Sequence, residues 1–388
     1  MTGHNDGMFR RIALCAAVAT AVTTGVAVVW CERAAREARE SAKRAAVDAE
    51  AVKGAAFSDE GLKSLARTKK LQILRLGAQI TDEGLENIAG LTDLTDLTLA
   101  GTSVTEAGLA NLANLTKLTH LNLAHTPLRG EGLVHLKSLR ELRSLSLGNT
   151  KIDDASLQHL TGFTKLNTLW LNDTPVSDAG LVHLRDLKEL TTLSLDRSRV
   201  TDKGLENLSG LTKLSFLGLG SPDITDEGFR HLAGLTALGS LMVHRSVVTD
   251  AGMQHLGGLS NLTNLALNEC PNITDAGLVH LRELKKFNTL HLSGTKVTGT
   301  GFASLVGIPN LTWISLFRCR IDDAGLEPIG RLTGLKMLDL SDNGVSDDGL
   351  KHLAGLKNLT ELRLQRTLAT ESGIKALRMS LPNAKVFR

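Results

Sequence analysis

The sequence predicts an α/β solenoid: a right-handed arc with short parallel strands on its concave side and helices on its convex side, in about 13 repeats of 24 residues. Leucines recur at Leu94, Leu118, Leu142, Leu166, Leu190, Leu214, Leu238 and Leu262, each 24 residues after the last. Phe287 follows after 25, and Leu311, Leu335 and Leu359 restore the step of 24. Most copies also open on the same wording, LxxLxL, as in LNTLWLNDTPVSDAGLVHLRDL from Leu166. A fixed period of roughly 20–29 residues headed by that pattern marks stacked strand-and-helix coils. Such a chain grows by adding coils, so 388 residues require no second core.

Composition removes several function classes. The net charge is +3 with acids and bases interleaved, so no single-sign face awaits nucleic acid or an acidic ligand. There is no Tyr and only 3% aromatic residues, which leaves no platform for stacking bases. Of the four cysteines, Cys15 and Cys31 lie in or beside an apolar run, while Cys270 and Cys319 hold equivalent positions two repeats apart. That spacing is not a disulfide framework.

Residues 1–11 form a polar tail ending in Arg10 and Arg11. Residues 12–30, IALCAAVATAVTTGVAVVW, run for 19 residues without a charge, just enough to cross a bilayer as a helix. They read as a transmembrane anchor or as a signal sequence with Gly25-Val26-Ala27 as its cleavage site. The anchor is preferred because the apolar run continues to Trp30. A lipoprotein reading fails, since Leu14 and Trp30 precede the two cysteines where a small residue is needed. For orientation, the bases after the span (Arg33, Arg36, Arg39, Lys43, Arg44) favour a cytoplasmic C-terminal side, whereas the short basic N-terminus favours export. Export of the repeats from a single-pass membrane protein is the working expectation.

Residues 31–56 are almost all Ala, Glu, Arg and Lys, strong helix formers without an apolar heptad, and predict a solvated helical stalk. The repeat domain is set at 57–388. It opens on FSDEGLKSL, which reads as the helical half of a repeat lacking its strand, and closes with a helix over 373–381 and a strand-like LPNAKVF. Atypical ends of this kind cover the terminal layers of a solenoid.

Within each repeat the LxxLxL leucines point inward and the residues between them face the concave surface. A Thr recurs in the following turn (Thr102, Thr126, Thr150, Thr174, Thr295, Thr367), where its hydroxyl can bond backbone groups of neighbouring coils. A β-branched residue or Leu, such as Val104, Leu128 or Ile152, plugs the core next. Then [TSD]-D-x-G-L opens a helix, with Thr225, Thr249 or Thr274 as N-cap and the following Asp favoured by the helix dipole. One or two acids per repeat do not make a calcium loop, which gathers several in one short segment.

A histidine column (His135, His159, His183, His231, His255, His280, His352) precedes a core Leu. Asn87, Asn111 and Asn207 share its position, so the site asks for a hydrogen-bonding side chain, and a line of rings lacks the tetrahedral cluster zinc requires. If those rings are buried and neutral, stability falls modestly below the histidine pKa. The sequons at Asn114 and Asn261 follow from the repeat wording, because Leu262 inside one of them is a core residue. No metal and no cofactor are expected.

The wording LxxLxLxxTxVTDAGLxxLxxL resembles the short leucine-rich repeats of large membrane-anchored or secreted bacterial proteins. Those are related to the cysteine-containing repeats in the substrate-recognition half of F-box proteins. LTNLALNECPNITDAGLVHL, Leu262 to Leu281 with Cys270, is similar to that cysteine-containing wording, and LFRCRIDDAGL with Cys319 repeats the likeness. The resemblance implies a leucine-rich-repeat solenoid that acts as a generic interaction scaffold. No F-box-like segment precedes the repeats, since residues 31–56 are too short and polar.

Concave positions are mostly small or polar, as at Thr98, Asn122, Ser146, Ser194, Gly218, Ala266 and Ser315. Ten larger residues stand out as a candidate partner-binding surface: Trp170, Phe216, Met242, His244, Arg245, His291, Trp313, Phe317, Arg318 and Met337. Exposed Trp and Arg are frequent binding hot spots. There is no phosphate loop, HExxH or nucleophile elbow, and Ser, His and Asp recur as columns rather than as one off-pattern constellation, so no catalytic residues are expected. The leading expectation is a monomeric, non-catalytic, membrane-anchored recognition scaffold binding a protein or peptide. The alternatives are a structural cell-envelope spacer and a substrate adaptor of a ubiquitin-ligase-like complex.

Overall fold

The computed structural model describes residues 51–53, 58–68 and 70–388. The tail, the 12–30 segment and most of the 31–56 stalk lie outside the described residues. Among the described residues, no helix is long and apolar enough to cross a membrane.

Fifteen parallel strands form one open sheet in strict sequence order, from Ala51–Lys53 to Lys385–Phe387. Each strand is short, three to five residues around the inward leucines, as in Thr168–Trp170 or Thr192–Asp196. The leucines of every coil are buried in one continuous core, Leu166, Leu169 and Leu171 among them at 0% exposure. The returning side carries single α-helical turns and 3-10 turns, such as Asp178–Leu181 followed by Val182–Leu184, rather than long helices. The closing element is longer, a ten-residue helix over Glu371–Ser380.

Two expectations need correction at the N-terminal end. Ala51–Lys53 is a strand paired in parallel with Ile73–Arg75, not part of a helical stalk. The first half-repeat therefore has its strand, supplied by AVK instead of the leucine wording.

The turn threonines bond within their own coil. The hydroxyls of Thr102, Thr126, Thr150, Thr174 and Thr295 donate to the carbonyl three residues before, at 2.6–2.7 Å. Ser198 in the same column keeps that bond, to Leu195 O at 2.7 Å, whereas Cys319 donates to Leu292 O at 3.1 Å and Asn343 Nδ2 to Leu316 O at 2.7 Å, both in the preceding coil. The residue just before the Thr column turns left-handed to redirect the chain: His125, Asn149, Asp173, Arg197, Arg245, Glu269, Arg318, Asp342 and Arg366 all have φ between 54° and 59°.

Coils are tied along the solenoid by the Asp of each [TSD]-D-x-G-L. Asp154 accepts the Ser177 N–H at 2.7 Å and its hydroxyl at 2.5 Å, one coil on. Asp178 with Thr201, Asp202 with Thr225, Asp226 with Thr249 and Asp250 with Thr274 repeat the arrangement. These carboxylates are occupied by protein donors, which assigns the Asp column to coil stacking. The expected N-caps hold as well: Thr225, Thr249 and Thr274 accept from the second helical N–H. The histidine column is half-exposed to exposed, so the conditional loss of stability from buried rings has no basis there.

Candidate functional site on the concave face

Parallel register aligns the concave side chains into rows running across the strands. One row reads Ser146, Trp170, Ser194, Gly218, Met242, Ala266, His291, Ser315, Asp339. The row beside it reads Thr168, Thr192, Phe216, Ser240, Asn264, Thr289, Trp313, Met337. Six of the ten candidate residues therefore share two adjacent rows: Trp170, Phe216, Met242, His291, Trp313 and Met337. His244 lies in a third row opposite Asn268. Phe317 and Arg318 follow the strand Trp313–Ser315, and Arg245 follows Ser240–His244.

The rings meet across strands. Trp170 and Phe216, two strands apart, have centroids 5.8 Å apart and planes inclined at 46°. A Cβ on Gly218 would lie 3.5 Å from the Phe216 ring and 3.2 Å from Ser194 Oγ, so Phe216 leans across its own strand toward Ser194. His291 stands edge-on to Trp313, centroids 4.6 Å apart at 84°. Aromatic pairs favour such tilted and edge-to-face geometry.

Exposure separates the ten residues and corrects the expectation that all are surface anchors. Phe216, Met242 and His291 are buried at 2%, 5% and 3%. Trp170, His244, Trp313, Phe317 and Met337 are half-buried, and Arg245 and Arg318 are exposed. Concave residues of neighbouring strands lie only about 5 Å apart, so large rings shield what lies beside them.

Burial sets the electrostatics of this floor. It pushes the His291 imidazole down to about 4, with the His244 charge acting in the same direction. Burial also lowers His244, against the pull of Asp196 and Glu269. Neither His291 nitrogen has a hydrogen-bond partner, nor has the buried Ser194 Oγ. In the sequence Ser194 reads as one of the small concave residues; nothing in its local wording marks it, because Trp170 and Gly218, its register partners, lie on the strands to either side.

The turn side of the groove is charged but paired. Arg245 Nε donates to Glu269 at 2.7 Å, and Arg197 sits 3.1 Å from Asp173. Arg366 grips Asp342 through two nitrogens, and holds that carboxyl below its ordinary range. Phe317, Arg318 and Cys319 line an open hollow with Asp342 and Arg366. The structure thus divides the candidates into an uncharged groove and a charged rim at Arg318. No group of three or more His, Cys, Asp or Glu among the described residues is placed to hold a metal ion.

A model described as a leucine-rich repeat region matches residues 128–387, and a second leucine-rich repeat model matches 114–137. The chain belongs to the leucine-rich-repeat family. No curated protein matches it. Among solved structures, the leucine-rich-repeat chain is similar to an internalin of Listeria monocytogenes, with 24% identity, 85% of this chain and 93% of that chain covered, and a TM-score of 0.65. A leucine-rich-repeat protein of Leptospira interrogans is similar at 20% identity, covering 86% of this chain and 94% of its own, with a TM-score of 0.55. At these identities the likeness speaks for the fold.

Proposed function

We propose that this leucine-rich-repeat protein is a non-catalytic recognition scaffold that captures another protein on its concave face. The observation that carries the reading is the in-register row of Trp170, Met242 and His291 beside Phe216, Trp313 and Met337, on a face otherwise built mostly of small or polar residues. Solenoid curvature makes such faces extended binding surfaces, and half-buried Trp at the centre of one is the side chain most often responsible for binding energy. The scaffold is held at a membrane through residues 12–30, with the repeats exported. That part rests on the uncharged run and the basic residues before it.

Replacing Trp313 and Arg318 with Ala should abolish partner capture while the chain stays folded. An envelope spacer would tolerate the change, so undiminished capture or function sinks the recognition reading. The adaptor alternative rests only on the cysteine-containing wording around Cys270 and Cys319. Protease digestion of intact and opened cells, with the membrane fraction followed, places the repeats. Protection until the cells are opened would refute export, and recovery of the full-length chain in the soluble fraction would refute the anchor.

A further inference from the structure

The groove floor has a property that narrows its partner. From Ser194 to Ser315 the central row is Ser194, Gly218, Met242, Ala266, His291 and Ser315, and the neighbouring row from Thr192 to Trp313 is equally free of Asp, Glu, Lys and Arg. These two rows cross six strands, a span of roughly 24 Å at the usual strand spacing. Charge resumes only at the two ends of the sheet, with Arg75 and Asp96 on one side and Asp339, Glu361 and Arg363 on the other. Along the turn side, the nearest charges are committed to one another, Arg245 to Glu269 and Arg197 to Asp173 and Asp196.

The floor is also shielded from bulk water. Ser194, Met242, Ala266, His291 and Ser315 are all at most 5% exposed. A charged ligand group lying there would lose its hydration and find no counter-charge, which is costly. A neutral group meets a different situation. The His291 ring is uncharged at neutral pH, so one nitrogen donates and the other accepts, and both lack a partner. A buried unpaired donor or acceptor gains from any ligand that satisfies it.

We infer that this trough takes an uncharged segment of the partner protein, made of small and apolar side chains, with one hydroxyl or carboxamide set against His291. The inference rests on the concave-face reading above and specifies its ligand. The segment lies across the strands, its apolar side chains against Met242 and the rings of Phe216 and Trp313.

The test is selection of displayed random 16-residue peptides on the full chain, repeated on the Trp313→Ala chain. Peptides that require Trp313 should lack Asp, Glu, Lys and Arg over a central stretch, and a single central Lys or Glu should weaken a selected peptide at least tenfold. His291→Phe keeps the ring's bulk and removes both nitrogens. It should weaken peptides carrying a central Ser, Thr, Asn or Gln several-fold and leave their Ala or Leu versions unchanged; Ser194→Ala provides a second, milder variant, and circular dichroism verifies folding. Trp313-dependent peptides with charged centres, or an unchanged His291→Phe profile, would overturn the uncharged ligand and leave the concave site standing. Selection that yields no Trp313-dependent peptide would overturn both.

Discussion

The Asp154 carboxylate lies 2.6 Å from the point where a side chain on Gly180, one coil later, would place its Cβ. The two residues are parts of one joint. Asp154 reaches across to the N–H and hydroxyl of Ser177, and the missing side chain at Gly180 is the space it reaches through. The same contact recurs at Gly277 with Asp250. Gly130 stands at the position that carries Asp in most coils, and the residue facing it in the next coil is Ser156, whose hydroxyl donates to Arg129 O at 3.0 Å.

Gly180→Ala should therefore destabilise the chain by about 1–3 kcal/mol through overpacking, although Ala is the better helix former. Asp154→Ala should cost about 1–3 kcal/mol by leaving the Ser177 donors unpaired. The double substitution should cost less than the sum, because the new methyl fills space the carboxylate left. Urea unfolding of the four chains measures the coupling. A stabilised Gly180→Ala chain would contradict the joint.

His291 should make stability depend on mild acid. Unfolded, the ring titrates near 6.5; folded, burial holds it near 4. Between those values the unfolded chain binds the extra proton, so stability falls as pH drops from 6.5 toward 4, by about 3 kcal/mol, and is level above 6.5. His291→Phe should remove that share of the slope. Residual slope from His244, lowered in the same direction, is expected in both chains. Melting curves at pH 4.5, 5.5 and 7.5 decide it, and identical slopes would refute it.

The two repeat cysteines should resist alkylation in the folded chain. Burial raises the Cys319 thiol to about 11 and also raises Cys270, so little thiolate is present near pH 8. Iodoacetamide labelling followed by mass spectrometry of their separate peptides should show slow reaction that becomes fast in urea. Rapid native labelling of Cys270 would be incompatible with its 0% exposure.

His125 holds φ at 59° with its side chain exposed. A left-handed backbone strains any residue with a Cβ, so His125→Gly should stabilise the chain by on the order of 0.5–1 kcal/mol after the entropic cost of glycine. Thermal unfolding checks the sign.

The leucine period made the sheet legible, because inward leucines and outward residues alternate along a strand and neighbouring copies must stack. It also marked Trp170, Met242 and His291 as large residues on a concave face of mostly small or polar ones. It did not reveal that His291 is buried against Trp313, since that contact joins different strands and depends on ring orientation. The Asp column was readable as a cap, but its partner Thr or Ser lies 22–24 residues on, beyond any local signal. Ala51–Lys53 escaped notice for the opposite reason: its residues carry helix propensity, and pairing with Ile73–Arg75 overrides it.

The central claim is that the concave face captures a protein. A photo-cross-linking amino acid placed at Met337, in the half-buried concave row, and separately at Val182, 46% exposed on the returning side, tests it directly in living cells. Adducts of one defined mass at position 337, absent at 182 and lost on adding Trp313→Ala, are the expected result. Adducts at 182 with none at 337 would put the partner on the other face and contradict the account.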